Sequence, residues 1–149
     1  MQLEINVIDA FTDSVFKGNS AAVITTESWL SDELMQSIAM ENNLSETAFL
    51  VLDKTDDRGI YHIRWFSPFT EIAFCGHATL ASAFVLFKKN PTLTSIKLSA
   101  KAVGILTVVQ TDTGKIQMDF PNKKPEKITD IPQDLLAGLS VTPVDVYRN

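Results

Sequence analysis

The chain has 149 residues, with thirteen Lys and Arg against eighteen Asp and Glu and a formal net charge of −5. Hydrophobic residues make up 45% and charged residues 21%, an ordinary balance that excludes intrinsic disorder and suits one domain with a real core. The acidic balance argues against a nucleic-acid partner, and the single cysteine, Cys75, excludes a disulfide framework or a Cys-based zinc site and points to a reducing, cytoplasmic setting.

The opening MQLEINVIDAF has no basic start, apolar stretch or cleavage pattern, so no secretion leader is expected. Gln2 to Val7 alternates polar and apolar residues and predicts a half-buried strand. Phe16 to Ser20 reads as a turn, and Ala21 to Thr25 as a short apolar strand. A helix follows with Ser31 as N-cap, Asp32 and Glu33 at its positive end and a stripe of Leu34, Met35 and Ile38, ending near Asn42 and Asn43. Thr47 to Leu52 and Ile60 to Phe66 are predicted strands of one hairpin.

Ser67 to Glu71 is a predicted loop, and Gly76 to Phe87 a helix ending at Lys88 and Lys89. Strands are predicted over Ser95 to Ser99, Val103 to Gln110 and Lys115 to Phe120, and a loop over Pro121 to Pro125. Pro132 opens a short helix to Leu136 with Gly138 as its stop, and Val144 to Tyr147 starts a last strand. The longest charge-free apolar run, Ile72 to Phe87, falls short of the ~20 residues that span a bilayer, so no membrane partner is expected.

The helix from Gly76 to Phe87 lacks the polar stripe of a surface helix. A helix apolar all round is buried all round. Among so many strands this predicts an α+β fold: a strongly curved, mostly antiparallel sheet wrapped around one central helix. The first N–H groups of that helix, at Gly76, His77 and Ala78, have no intrahelical acceptors and form a site suited to a small carboxylate.

Three residues could carry acid–base chemistry. Glu46 lies between a helix end and apolar strand residues, where a carboxylate is partly desolvated, although a solvated strand-edge Glu is the commoner pattern. His77, at the helix start, suits an anion ligand or a proton relay. Cys75 precedes the same helix N-terminus, a position that lowers a thiol pKa, although a lone Cys is more often a small buried hydrophobe. His62 reads as structural. Two His residues in unrelated contexts predict no metal site, and no phosphate loop or dinucleotide fingerprint is present.

The chain resembles the N-terminal half of a phenazine-biosynthesis PhzF-type protein, of the diaminopimelate-epimerase-like superfamily. The resemblance rests on four stretches in order: Asp9 to Thr12 with Phe16 to Val23, Asn43 to Phe49, Arg64 to Pro68, and Glu71 to Ala83. It implies a fold of two similar halves with the active site between them, and neither cofactor nor metal. It implies a proton-moving isomerase acting on a small carboxylate metabolite, with Glu46 as general acid/base. Gly76, His77, Ala78 and Asn19 would bind substrate. Ser20 stands where the family usually has Pro, which predicts a looser loop. The family is roughly twice this length, so 1–149 would be one domain, with 144–149 as the crossover to an absent second half or a homodimer supplying it. Two further readings stand beside this one: a two-cysteine racemase using Cys75 as one thiol, and a non-catalytic domain that binds small acids or self-associates.

Overall fold

The computed structural model describes residues 2–120 and 124–148. In chain order its elements are β1 (Ile5–Ala10), β2 (Asn19–Thr26), α1 (Asp32–Asn42), β3 (Glu46–Leu52), β4 (Ile60–Phe66), β5 (Glu71–Ile72), α2 (Gly76–Lys89), β6 (Ser95–Ala100), β7 (Gly104–Gln110), β8 (Ile116–Met118), β9 (Glu126–Ile128), α3 (Gln133–Gly138) and β10 (Val146–Arg148). They fall into two compact units, Met1–Asp119 and Phe120–Asn149.

The first unit holds an eight-stranded sheet in the order β1-β2-β3-β4-β6-β7-β8, with β5 beside β4. The β2–β3 and β4–β6 pairs are parallel and the others antiparallel. One edge of β4 is shared: its first residues pair with β6, and Trp65 and Phe66 pair with β5. The result is the curved α+β half-barrel expected from the sequence.

Strand alternation decides what each face buries. Ala21, Val23, Ala48, Leu50, Ile63 and Trp65 turn inward and pack with Ala78, Ala81, Val85 and Leu86 of α2. The alanines on both sides let the helix lie close to the strands. Each larger aliphatic side chain buried there contributes about 1.5–3 kcal/mol. The opposite face presents Ile24, Phe49 and Phe66 to Met35 and Ala39 of α1. Phe49 meets Phe66 edge to face at 5.6 Å.

The caps of α1 are those read from the sequence. Ser31 Oγ accepts from the Leu34 N–H at 3.3 Å, and Asn43 closes the helix at φ 49°, a left-handed conformation that Asn tolerates. Helix α2 runs on through its terminal lysines to Lys89. Its buried hydroxyls donate back along the helix, Thr79 to the Cys75 carbonyl and Ser82 to the Ala78 carbonyl.

Burial all round is corrected for α2. Phe84 is 43% exposed, and His77 and Leu80 are half-buried. The helix touches both end strands, β1 and β8, but among the described residues these do not pair, so the sheet does not close round it.

The loop between β1 and β2 is tightly specified. A Cβ on Gly18 would lie 2.3 Å from the Ala10 carbonyl oxygen, so only glycine fits there. Phe11 and Phe16 adopt positive φ, at 66° and 63°. Asp9 holds the loop: its carboxylate accepts the Phe16 N–H at 2.6 Å and the Ser20 hydroxyl. The expectation that Ser20 loosens the loop is therefore corrected, because its hydroxyl supplies a tie that proline cannot make.

Other differences are local. The first strand begins at Ile5 rather than Gln2, and β5 and β9 are too short for periodicity to reveal. In the second unit β9 and β10 pair antiparallel, with Ile128 opposite Val146, and Lys127 forms an ion pair with Asp145. Helix α3 includes Gly138, which the sequence marks as a stop. Positions 121–123 of the predicted loop from Pro121 to Pro125 lie outside the described residues. No helix among the described residues is long and apolar enough to cross a membrane.

Candidate active site

Glu46 is the first residue of β3 and sits opposite Ala21 in the parallel β2–β3 pair. It shares the strand face of Ala48 and Leu50, so its side chain turns toward α2. His77 is the second residue of α2. The two meet with Glu46 Oε2 3.0 Å from His77 Nε2, and their side chains are only 17% and 11% exposed. Both atoms are buried, and neither makes a hydrogen bond among the described residues. Both atoms therefore keep unused hydrogen-bonding capacity.

Cys75, the residue before α2, is 7% exposed and completes the cluster. Its Sγ lies 3.3 Å from His77 Nδ1. Burial pushes the thiol pKa up to about 11. The backbone N–H groups of Ala78 and His77 oppose this, while the Glu46 carboxylate adds to it. The expected lowering is corrected: desolvation and a nearby negative charge outweigh the helix end. At pH 8, about three units below that pKa, only about one thiol in a thousand is ionised. Iodoacetamide should therefore alkylate Cys75 on the order of 100-fold more slowly in the folded chain than in urea. Comparable rates in the two states would contradict the placement.

The first N–H groups of α2 have no side-chain cap and no acidic residue in the first turn. Among them, Gly76 is half-buried and Ala78 fully buried. Asn19 is exposed at the start of β2, two residues before Ala21. Alternation puts it on the α2 face at the same sheet end as Glu46. Among the described residues it makes no hydrogen bond to Glu46, Cys75 or His77. His62 stands apart on β4, 3.2 Å from Asp53.

Glu46, Cys75 and His77 also form the one group of potential metal donors among the described residues, with ligand atoms within 4.8 Å of one another. An ion held by all three would need a single ring nitrogen to serve it. Here Nδ1 faces the sulfur and Nε2 the carboxylate. Sequence reasoning missed the Cys75–His77 contact by treating each residue alone, although a Cys and a His straddling Gly76 at a helix start was its visible signal. It also missed Asp9 as the residue that holds the Asn19 side of the site.

The comparisons with known proteins bear on the family and the fold. The family model described as phenazine biosynthesis-like protein (PhzC-PhzF) matches residues 8–145. An uncharacterized isomerase of Pseudomonas aeruginosa is 44% identical over 99% of this chain, which covers 55% of that relative. A human phenazine biosynthesis-like domain-containing protein is 49% identical over 68% of this chain and 38% of its own length. A crystal structure of a PhzF-family phenazine biosynthesis protein from Enterococcus faecalis superposes with a TM-score of 0.85 at 41% identity, covering all of this chain and 55% of that one. A predicted epimerase from Pseudomonas aeruginosa superposes at 0.65 with 26% identity, over 76% of this chain and 40% of that one. The chain thus spans about half the length of the curated relatives it matches. With a family model spanning most of its residues and an isomerase-named relative matched along nearly all of it, the chain belongs to the phenazine biosynthesis-like PhzC-PhzF family.

Proposed function

We propose that this chain provides the acid–base half of a cofactor-independent isomerase that moves a proton on a small carboxylic acid. The observation that carries the reading is the 3.0 Å approach of Glu46 Oε2 to His77 Nε2, with both atoms buried and neither spent on a hydrogen bond. Buried polar atoms without partners are costly unless a ligand supplies them. The substrate carboxylate would lie at the N–H groups of Gly76, His77 and Ala78, where the helix dipole favours negative charge. The neutral Cys75 sulfur beside these groups is a weak acceptor, which a carboxylate outcompetes. Asn19 would line the rim.

Glu46 would accept a proton from a carbon next to an activating group, leaving the electron pair in the conjugated system. The protonated Glu46 would exchange with solvent and then deliver a proton to another carbon of the conjugated system, so no oxidant or reductant is needed. We assign completion of the site to a second half-length unit facing this one, with a homodimer partner as one source of it. The two-cysteine racemase reading is less well supported, because a thiol held near pKa 11 is a poor base at neutral pH.

Incubation with a panel of small unsaturated carboxylic acids in D2O tests the reading. Proton NMR should show deuterium entering one carbon of at least one acid. If no acid exchanged and none raised the melting temperature, the non-catalytic reading would replace it.

A further inference from the structure

His77 faces a different neighbour with each ring nitrogen: Cys75 Sγ at 3.3 Å from Nδ1, and Glu46 Oε2 at 3.0 Å from Nε2. A neutral imidazole carries its proton on one nitrogen only, and the hydrogen bond made by the other decides which. The Cys75–His77 contact therefore bears on what Nε2 can do in the site. We propose that Cys75 is a positioning residue: its thiol donates to His77 Nδ1 and fixes the ring as the Nε2–H form, so that Nε2 presents a proton, rather than a lone pair, to the space beside Glu46.

Three observations carry this. The sulfur already has the backbone N–H groups of Ala78 and His77 against it, though without a full cap hydrogen bond, which leaves its own S–H to point elsewhere. Two side-chain acceptors neighbour it, the Glu46 carboxylate and His77 Nδ1, and the contact with Nδ1 at 3.3 Å is the one with hydrogen-bond geometry. An imidazole nitrogen is also a far better acceptor than a neutral sulfur, so S–H to Nδ1 is the stronger of the two ways to fill the contact. The raised thiol pKa is consistent, since a protonated thiol is the donor required. On the other side, Nε2 makes no hydrogen bond to Glu46 or any other described residue. A proton fixed there is available to a substrate oxygen that gains charge as Glu46 takes a proton from carbon. That last use rests on the function proposed above; the tautomer itself does not.

The chain has only two histidines and one cysteine, which makes the test direct. The probe is 15N-histidine labelling with long-range 1H–15N NMR at mildly alkaline pH, with His62→Gln to assign the two rings. In the unmodified chain His77 should show a bare, pyridine-type Nδ1 and a protonated, pyrrole-type Nε2. Cys75→Ala should shift the ring toward the Nδ1–H form or a mixture, and Cys75→Ser, which keeps a donor, should restore the Nε2–H form. A protonated Nδ1 in the unmodified chain would overturn the proposal, whether or not any variant folds. So would a Cys75→Ala chain whose His77 signals do not change. Because these signals do not depend on turnover, a wrong tautomer combined with exchange that still needs Glu46 would sink this proposal and leave the proposed function standing.

Discussion

Glu46→Gln should lower proton exchange on an acid that the unmodified chain labels by about 10²–10⁴-fold, the range ascribed to a positioned general base. The substitution keeps the shape of the side chain and leaves the Ala21–Glu46 register to the backbone. It removes only the ability to take up a proton. Far-ultraviolet circular dichroism and the melting temperature should be close to those of the unmodified chain. The amide can still approach His77, so loss of binding is not the expected cause: the midpoint of a carboxylate titration should move far less than the rate. Exchange by Glu46→Gln at the unmodified rate would remove Glu46 from the chemistry.

Trp65→Ala should have the largest effect on stability, a loss of about 3–5 kcal/mol. Trp65 is 1% exposed and packs in the inner cluster with Ala21, Ala48 and the start of α2. Its ring meets Phe74 edge to face at 5.6 Å. Truncation removes the apolar burial and leaves a cavity that the alanine-rich surroundings cannot fill. In a domain of this size the melting temperature should fall by more than about 10 °C. Phe74 immediately precedes Cys75, so the damage reaches the site as well as the core. A drop of less than about 3 °C would mean that the inner cluster does not depend on this ring.

Much of the fold was legible because it rests on long patterns. The α1 boundaries followed from Ser31 and Asn43, whose cap roles are local chemistry. The central helix was visible because Gly76 to Phe87 has no charged face. The exposure of Phe84 was not, since hydropathy along one helix does not say whether the sheet around it closes. Short strands such as β5 and β9 are pairings of two or three residues that exist only because a neighbour is present.

The site was less legible than the fold. Glu46 and His77 are 31 positions apart in the chain, and only the parallel β2–β3 register together with the start of α2 brings them into contact. Residue patterns alone left Glu46 as a strand-edge carboxylate; the family resemblance singled it out. The thiol shows the limit of local reasoning most clearly. A helix N-terminus lowers a thiol pKa when it acts alone, but Cys75 is also buried beside a carboxylate from a distant strand, and that combination reverses the sign.

The central claim is that Glu46 and the start of α2 face one bound carboxylic acid. A crystal structure of the chain with an acid that undergoes or inhibits exchange tests it most directly. The acid's carboxylate is expected within hydrogen-bond distance of the Gly76 to Ala78 N–H groups, with one of its carbons facing Glu46 Oε2. A carboxylate bound elsewhere, or bound there with Glu46 turned away from its carbons, would contradict the account.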